Sequence, residues 1–276
     1  MSNSTRRDFL ALGAAALGTA ALGRHAIADE PSTSPYGPFK MGLQSYSLRH
    51  FSFDDALAHT KAYGLHHWES YSAHIKADAD ANKLAEVKAR AASAGVTIGG
   101  FGVVAFSKDV DKNRKLFDFA RAMGLGYMSC APSPDCFDVL DKLVEEYKIP
   151  VGIHNHGPED KTFGKIDQIT AAIKDHSPLI GCCIDAGHFL RSKEDPLRAV
   201  EVFDKRIYGV HLKDVKDART FTILGEGDLK LVELLKMLKA RKYNYTLALE
   251  YEENERTPDA DIMACLKAAR AAGARI

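Results

Sequence analysis

The sequence has no excess of either charge: Lys+Arg and Asp+Glu both number 37 in 276 residues. That balance offers no basic face for nucleic acid, which is held by neutralising its phosphates. The five cysteines are an odd number, so a closed disulfide framework is not expected. Cys182 and Cys183 are adjacent and on a strand point to opposite faces, whereas Cys130 and Cys136 flank a Pro-containing loop whose spacing alone does not decide whether they pair. A small buried apolar side chain is the simplest expectation for all five. No apolar run beyond residue 28 is long enough to span a membrane. The turn "TILGEGDL" lacks the Lys-Ser/Thr ending of a phosphate-binding loop, so no nucleotide is implied. What the chain does have is apolar content, at 46%, enough for one large core or two smaller ones.

The first residues stand apart. "STRRDFLALGAAALGTAALGRHAIA" joins Arg6 and Arg7 to an Ala/Leu/Gly run and a small-x-small ending at Ala26 and Ala28. It resembles a twin-arginine export signal cleaved after Ala28, which makes the export machinery a partner and the periplasm the expected location. Residues 29–38, "DEPSTSPYGP", read as a flexible linker, and 39–276 as one domain.

In that domain short apolar runs alternate with amphipathic ones. The expected strands are "KMGLQSY", "HHWESY", "VTIGGFGV", "YMSCAP", "PVGIHNH", "IGCCIDAGH", "RIYGVHLKD" and "YTLALEYE". A helical stretch follows each, and Gly64, Gly95, Gly124 and Gly273 stand where C-terminal caps are expected. Eight strand-helix units without a second composition block predict a single (β/α)8 barrel, with a doubly wound sheet as competitor. Glu69, His154, Asp185, His211 and Glu250 end five different strands, and only a barrel brings such ends to one face.

Strand parity sharpens this. His154 shares a face with Gly152, Asp185 with Cys183, His211 with Gly209 and Glu250 with Ala248, each flanked by large residues facing the other way. Two imidazoles and two carboxylates directed at one centre suit Mn²⁺, Zn²⁺, Co²⁺ or Fe²⁺. The plainer alternative is a salt-bridged polar layer closing the barrel mouth.

The motifs "CIDAGH", "YGVHLKDV" and "LALEYE" resemble those of the xylose isomerase-like barrel superfamily, which holds the sugar phosphate isomerases and epimerases and the endonuclease IV branch. The resemblance implies metal ligands at His154, Asp185, His211 and Glu250. It departs at His154, where the ketose epimerases carry a glutamate, so their pair of opposed acid-base carboxylates lacks one member. His156, further out on the same face, is then expected beside the substrate. His188 resembles a sugar-contacting histidine, and Glu226, in a GEG turn, resembles a residue bordering substrate.

Glu69 is the spare carboxylate for acid or base work, and Lys213, two residues after His211, faces inward where it can stabilise an enolate. Asp214 points outward and is expected to be structural, Asp228 to cap the following helix, and Trp68 to be packing. The reading is a metal-dependent enzyme that abstracts a proton next to a carbonyl of a small carbohydrate, with Glu250 or Glu69 as base. It would act as an isomerase or epimerase, or as a lyase or hydratase on keto-sugars or keto-glycosides. The alternatives are an endonuclease, opposed by the neutral charge and the export signal, and a non-catalytic periplasmic sugar-binding protein. The oligomeric state stays open, a homo-oligomer included.

Overall fold

The computed structural model describes residues 34–276. The expected signal peptide and the first part of the expected linker lie outside the described residues. In chain order the elements are β1 (Lys40–Gln44), α1 (Phe53–Ala62), β2 (His67–Ser70), α2 (Ala81–Ser93), β3 (Thr97–Phe106), α3 (Val110–Met123), β4 (Tyr127–Pro132), α4 (Phe137–Tyr147), β5 (Val151–His154) and α5 (Ile166–Ile173). They continue with β6 (Ile180–Asp185), α6 (Ala186–Arg191), α7 (Pro196–Phe203), β7 (Ile207–Leu212), β8 (Asp214–Lys216), β9 (Thr220–Thr222), α8 (Leu231–Ala240), β10 (Thr246–Leu249) and α9 (Asp259–Gly273). Eight of the strands close a parallel barrel in the order β1-β10-β7-β6-β5-β4-β3-β2, as eight strand-helix repeats require. Two elements were not expected. The short helix α6 follows β6 directly, and the antiparallel hairpin β8–β9 rises from the end of β7. Among the described residues no helix is long and apolar enough to cross a membrane.

Local chemistry sets the helix ends. The side chains of Ser52, Asp80 and Asp109 accept the N–H three residues on, opening α1, α2 and α3. Asp228 does not cap α8, whose first residue follows Lys230 without a side-chain cap; the Asp228 N–H donates to the Val215 carbonyl at 2.9 Å. Gly64, Gly95 and Gly124 sit at positive φ as expected. Gly273 does not: α9 runs through it, and a Cβ there would lie 2.9 Å from the backbone of Tyr36. Tyr36 is buried, with the Arg270 guanidinium over its ring. The described end of the expected linker, residues 34–38, is therefore a turn packed on the last helix.

Outward side chains such as Val151, Ile153, Leu247 and Leu249 join the buried apolar layer between sheet and helices. Trp68 belongs there, donating to Thr60 of α1 at 2.8 Å. The inward layer under the mouth is narrow, since a Cβ on Gly209 would lie 2.6 Å from the Cys183 sulfur. All five cysteines, Cys130 and Cys136 included, are buried free thiols.

Candidate metal centre

Barrel register aligns the ends of the strands that carry the expected ligands. Asp185 pairs with His211 across β6 and β7, His154 with Cys183 across β5 and β6, and Ala248 with His211 across β10 and β7. The middle residue of "HNH" ties two of these strands together: Asn155 accepts the Asp185 N–H and donates to the Asp185 carbonyl, both at 2.9 Å. Asp185 in turn caps α6, accepting the His188 N–H at 2.7 Å through one oxygen.

The result is a buried cluster. His211 Nδ1 lies 3.0 Å from Glu250 Oε2, 3.1 Å from His154 Nε2 and 3.8 Å from Asp185 Oδ2. One atom from each of the four residues falls within 4.8 Å of the others. Atoms each about 2.1 Å from one ion lie up to about 4.2 Å apart, so shifts of a few tenths of an ångström would seat a metal. The donor chemistry fits as well. Two imidazole nitrogens and two carboxylate oxygens converge, all buried, and the charge that meets Asp185 Oδ2 and Glu250 Oε2 is a cation, the Lys213 ammonium at 3.0 Å from each. These residues therefore fit a divalent ion held by His154, Asp185, His211 and Glu250. Cys183, also beside His211, is pushed up to about 12 by burial and stays a thiol.

Glu69 lies beneath His211, at 3.0 Å from Nε2, and is also met by Gln44 at 3.0 Å, the Tyr127 hydroxyl at 2.7 Å and the Ser129 hydroxyl. Burial pushes its pKa up, but the His211 charge and these donors outweigh it and leave it lowered. An ionised carboxylate there holds the hydrogen on Nε2 and turns the Nδ1 lone pair to the cluster, the arrangement that orients metal-binding histidines. His211 is well above the imidazole range, since burial is outweighed by the Glu69 and Glu250 carboxylates. A metal must therefore displace a proton.

Lys213 closes the open side. Its ammonium lies 3.0 Å from Asp185 Oδ2 and from Glu250 Oε2, and also meets Glu252. Burial opposes its charge, but Asp185, Glu250 and Glu252 raise its pKa, and burial's opposite pull on Asp185 and Glu250 is overcome first by this ammonium. His188 sits on α6 rather than on a loop. Burial lowers it to about 3, so its imidazole is neutral. Arg191 donates to its Nδ1 at 3.1 Å, leaving the hydrogen on Nε2, which faces Glu252 at 3.8 Å. His156 is half-exposed, its ring 4.7 Å from that of His154.

Two of the expected site residues stand apart from the four ligands. Glu226 is exposed, in the turn between β9 and α8. Its neighbours serve Asp214, whose carboxylate accepts N–H groups of Val215, Gly225, Gly227 and Leu229 at 2.8 to 3.1 Å. Glu69 is enclosed by donors beneath His211. Sequence reading missed Glu252 and Phe221. Glu252 follows Glu250 by two residues, the same signal that singled out Lys213 after His211. Phe221, on β9, packs over His188, Arg191 and Lys213, and no sequence signal placed it there.

The chain belongs to the xylose isomerase-like TIM barrel family, whose model matches residues 57–269. It is 25% identical over 134 residues to an inosose dehydratase of Clostridium botulinum, a match that covers 42% of this chain and 44% of that protein. The chain thus spans less than half the length of that relative. A crystal structure of an uncharacterised Parabacteroides distasonis protein is 25% identical, with TM-score 0.65 over 83% of this chain and 97% of that one. The fold is shared with 3-keto-D-glucoside 4-epimerase from E. coli at TM-score 0.67 and 15% identity, covering 84% and 99% of the two chains.

Proposed function

We propose that this chain is a divalent-metal-dependent enzyme that removes a proton from the carbon beside a carbonyl of a carbohydrate and finishes on one face, by isomerisation or by elimination of water. The observation that carries the reading is the meeting of four buried electron-pair donors, His154, Asp185, His211 and Glu250, within 4.8 Å of one another. A metal held there would polarise the carbonyl as a Lewis acid.

The protein's own groups divide the remaining work. Glu250, at the outer edge of the cluster, takes the proton. Lys213 stabilises the negative charge that develops on oxygen, in a site dry enough for an ammonium to act strongly. Neutral His188 donates from Nε2 to a substrate hydroxyl, and Glu69 orients His211 instead of acting as base. The groups that meet the proton and the substrate oxygens, Glu250, Lys213 and His188, all stand beside one another, while the imidazole of His154 replaces an opposed carboxylate. That one-sidedness favours elimination over free epimerisation, in keeping with the inosose dehydratases among the relatives.

The test is deuterium exchange at the carbon next to the carbonyl, followed by NMR, with metal-replete protein and a panel of keto-sugars that includes an inosose. Exchange with at least one member, lost on chelation, is expected. A protein that takes up no divalent metal, or exchanges no substrate when loaded, rejects the reading; ligand binding without metal uptake points to a binding protein. The reading also places the enzyme in the periplasm, on Arg6 and Arg7 and the apolar run after them. Replacing both arginines by lysine should keep the precursor in the cytoplasm.

A further inference from the structure

A cavity of about 530 Å³ opens beside the mouth, walled by the β5–α5 loop, α6 and the turn between β8 and β9. Lys161, Lys165, Arg191, Lys193 and Arg219 line it against a single carboxylate, Asp160. Among the described residues only Arg191 of the five has an ion-pair partner, Glu159. Asp160 is already engaged, one oxygen by the N–H groups of Thr162 and Phe163 and the other 3.7 Å from His156. Four cations without counter-charge are thus gathered in a chain that is otherwise balanced.

Three further observations concern the same wall. Lys165 opens α5, where the helix dipole already presents positive charge, and Asp167 of the first turn is paired with Arg198 instead. The Ser192 hydroxyl, also on the lining, has no hydrogen-bond partner among the described residues. Lys193 follows α6 at φ +57°, and Ala218, at φ +54°, lies with the left-handed Asp217 in the tight β8–β9 hairpin turn that carries Arg219 to the cavity.

We propose that this cavity is an oxyanion subsite for a carboxylate or phosphoryl group on the carbohydrate whose carbonyl is handled at the metal centre, an inference that rests on the reaction proposed above. The two places share a wall. Arg191 lines the cavity and donates to His188, and Phe221 packs over Arg191, His188 and Lys213. A ligand reaching both passes along that aromatic edge, and the volume suits a sugar-sized body.

The test is calorimetry on the full chain with inorganic phosphate, glucuronate and, as neutral control, glucose. Saturable binding of phosphate or glucuronate but not glucose is expected, weakened at least ten-fold in Lys193→Glu/Arg219→Glu with metal content unchanged. The neutralising pair Lys165→Gln/Arg219→Gln should weaken it less, and covers the case in which charge reversal impairs folding. Phosphate binding more tightly identifies a phosphoryl source, and glucuronate a carboxylate. Absence of saturable anion binding, or binding as tight in both double variants as in the native protein, overturns the subsite. Anion binding that survives in His211→Ala while no keto-sugar exchanges deuterium in the native protein rejects the reaction and leaves the subsite standing. Exchange with anion binding indifferent to the variants does the reverse.

Discussion

Two carboxylates organise the barrel mouth, one at its floor and one at its rim, and each is met by four donors. The donors of Glu69 are the side chains of Gln44, Tyr127, Ser129 and His211, drawn from the first, fourth and seventh barrel strands and as far as 142 residues away. Those of Asp214 are backbone N–H groups within the next 15 residues. Glu69 therefore holds an arrangement that exists only in a closed barrel, whereas Asp214 folds a loop that is nearly self-contained. A buried acid is thus no sign of chemistry by itself: what separates the two is whether the partner it fixes turns a lone pair toward open space.

The comparison can be broken most sharply between the two, at Glu250. Glu250→Gln keeps an oxygen for the metal but loses the base, so exchange should fall by about two to four decades, roughly 3–5 kcal/mol in the barrier, with metal partly retained. Unchanged exchange would move the base elsewhere, Glu252 first. Asp214→Ala should act on stability alone. Leaving several N–H groups without their charged acceptor costs about 3 kcal/mol, a melting temperature lower by roughly 6–12 °C, while the bound metal stays. Metal loss in that variant, measured by elemental analysis, would show that the rim is not independent of the floor.

Smaller effects test the floor and the shared wall. Glu69→Gln should leave the melting temperature nearly unaltered yet weaken metal affinity about 10- to 100-fold, because the amide no longer holds the His211 hydrogen as firmly. A loss of exchange with metal affinity intact would restore Glu69 to acid-base work. Phe221→Ala should be mildest, raising KM by less than about ten-fold at unchanged metal content; a fall confined to kcat would place Phe221 at the reacting atoms instead.

The same contrast explains what the sequence made legible. Each of the four cluster residues sits in or one residue past a barrel strand, where a period of two fixes the face and closure of the barrel fixes the meeting point. Parity also puts Tyr127 and Ser129 on one face of β4, so the surroundings of Glu69 were within its reach. Phe221, Arg191 and α6 were not, because their places come from hairpin and loop geometry that no short-range period encodes. In the GEG turn around Glu226 the backbone N–H groups of Gly225 and Gly227 bind Asp214, which no side-chain pattern announces. Gly273 looked like a cap because it ends a helical pattern, and only the approach of Tyr36, nearly the whole chain away, gives it another purpose.

Ring closure sets an order in time. β1 pairs with β2 and with β10, and Lys40, Ser47 and Arg49 make hydrogen bonds to residues 203 or 204 positions later. A nascent chain halted before residue 246 leaves its first strand with one neighbour and only three of the four converging donors made. Such long-range pairing is slow to form, and synthesis delays it further. Translation thus withholds the last carboxylate until the last barrel strand has been made, so the unfinished barrel has no complete cage in which to trap a stray ion.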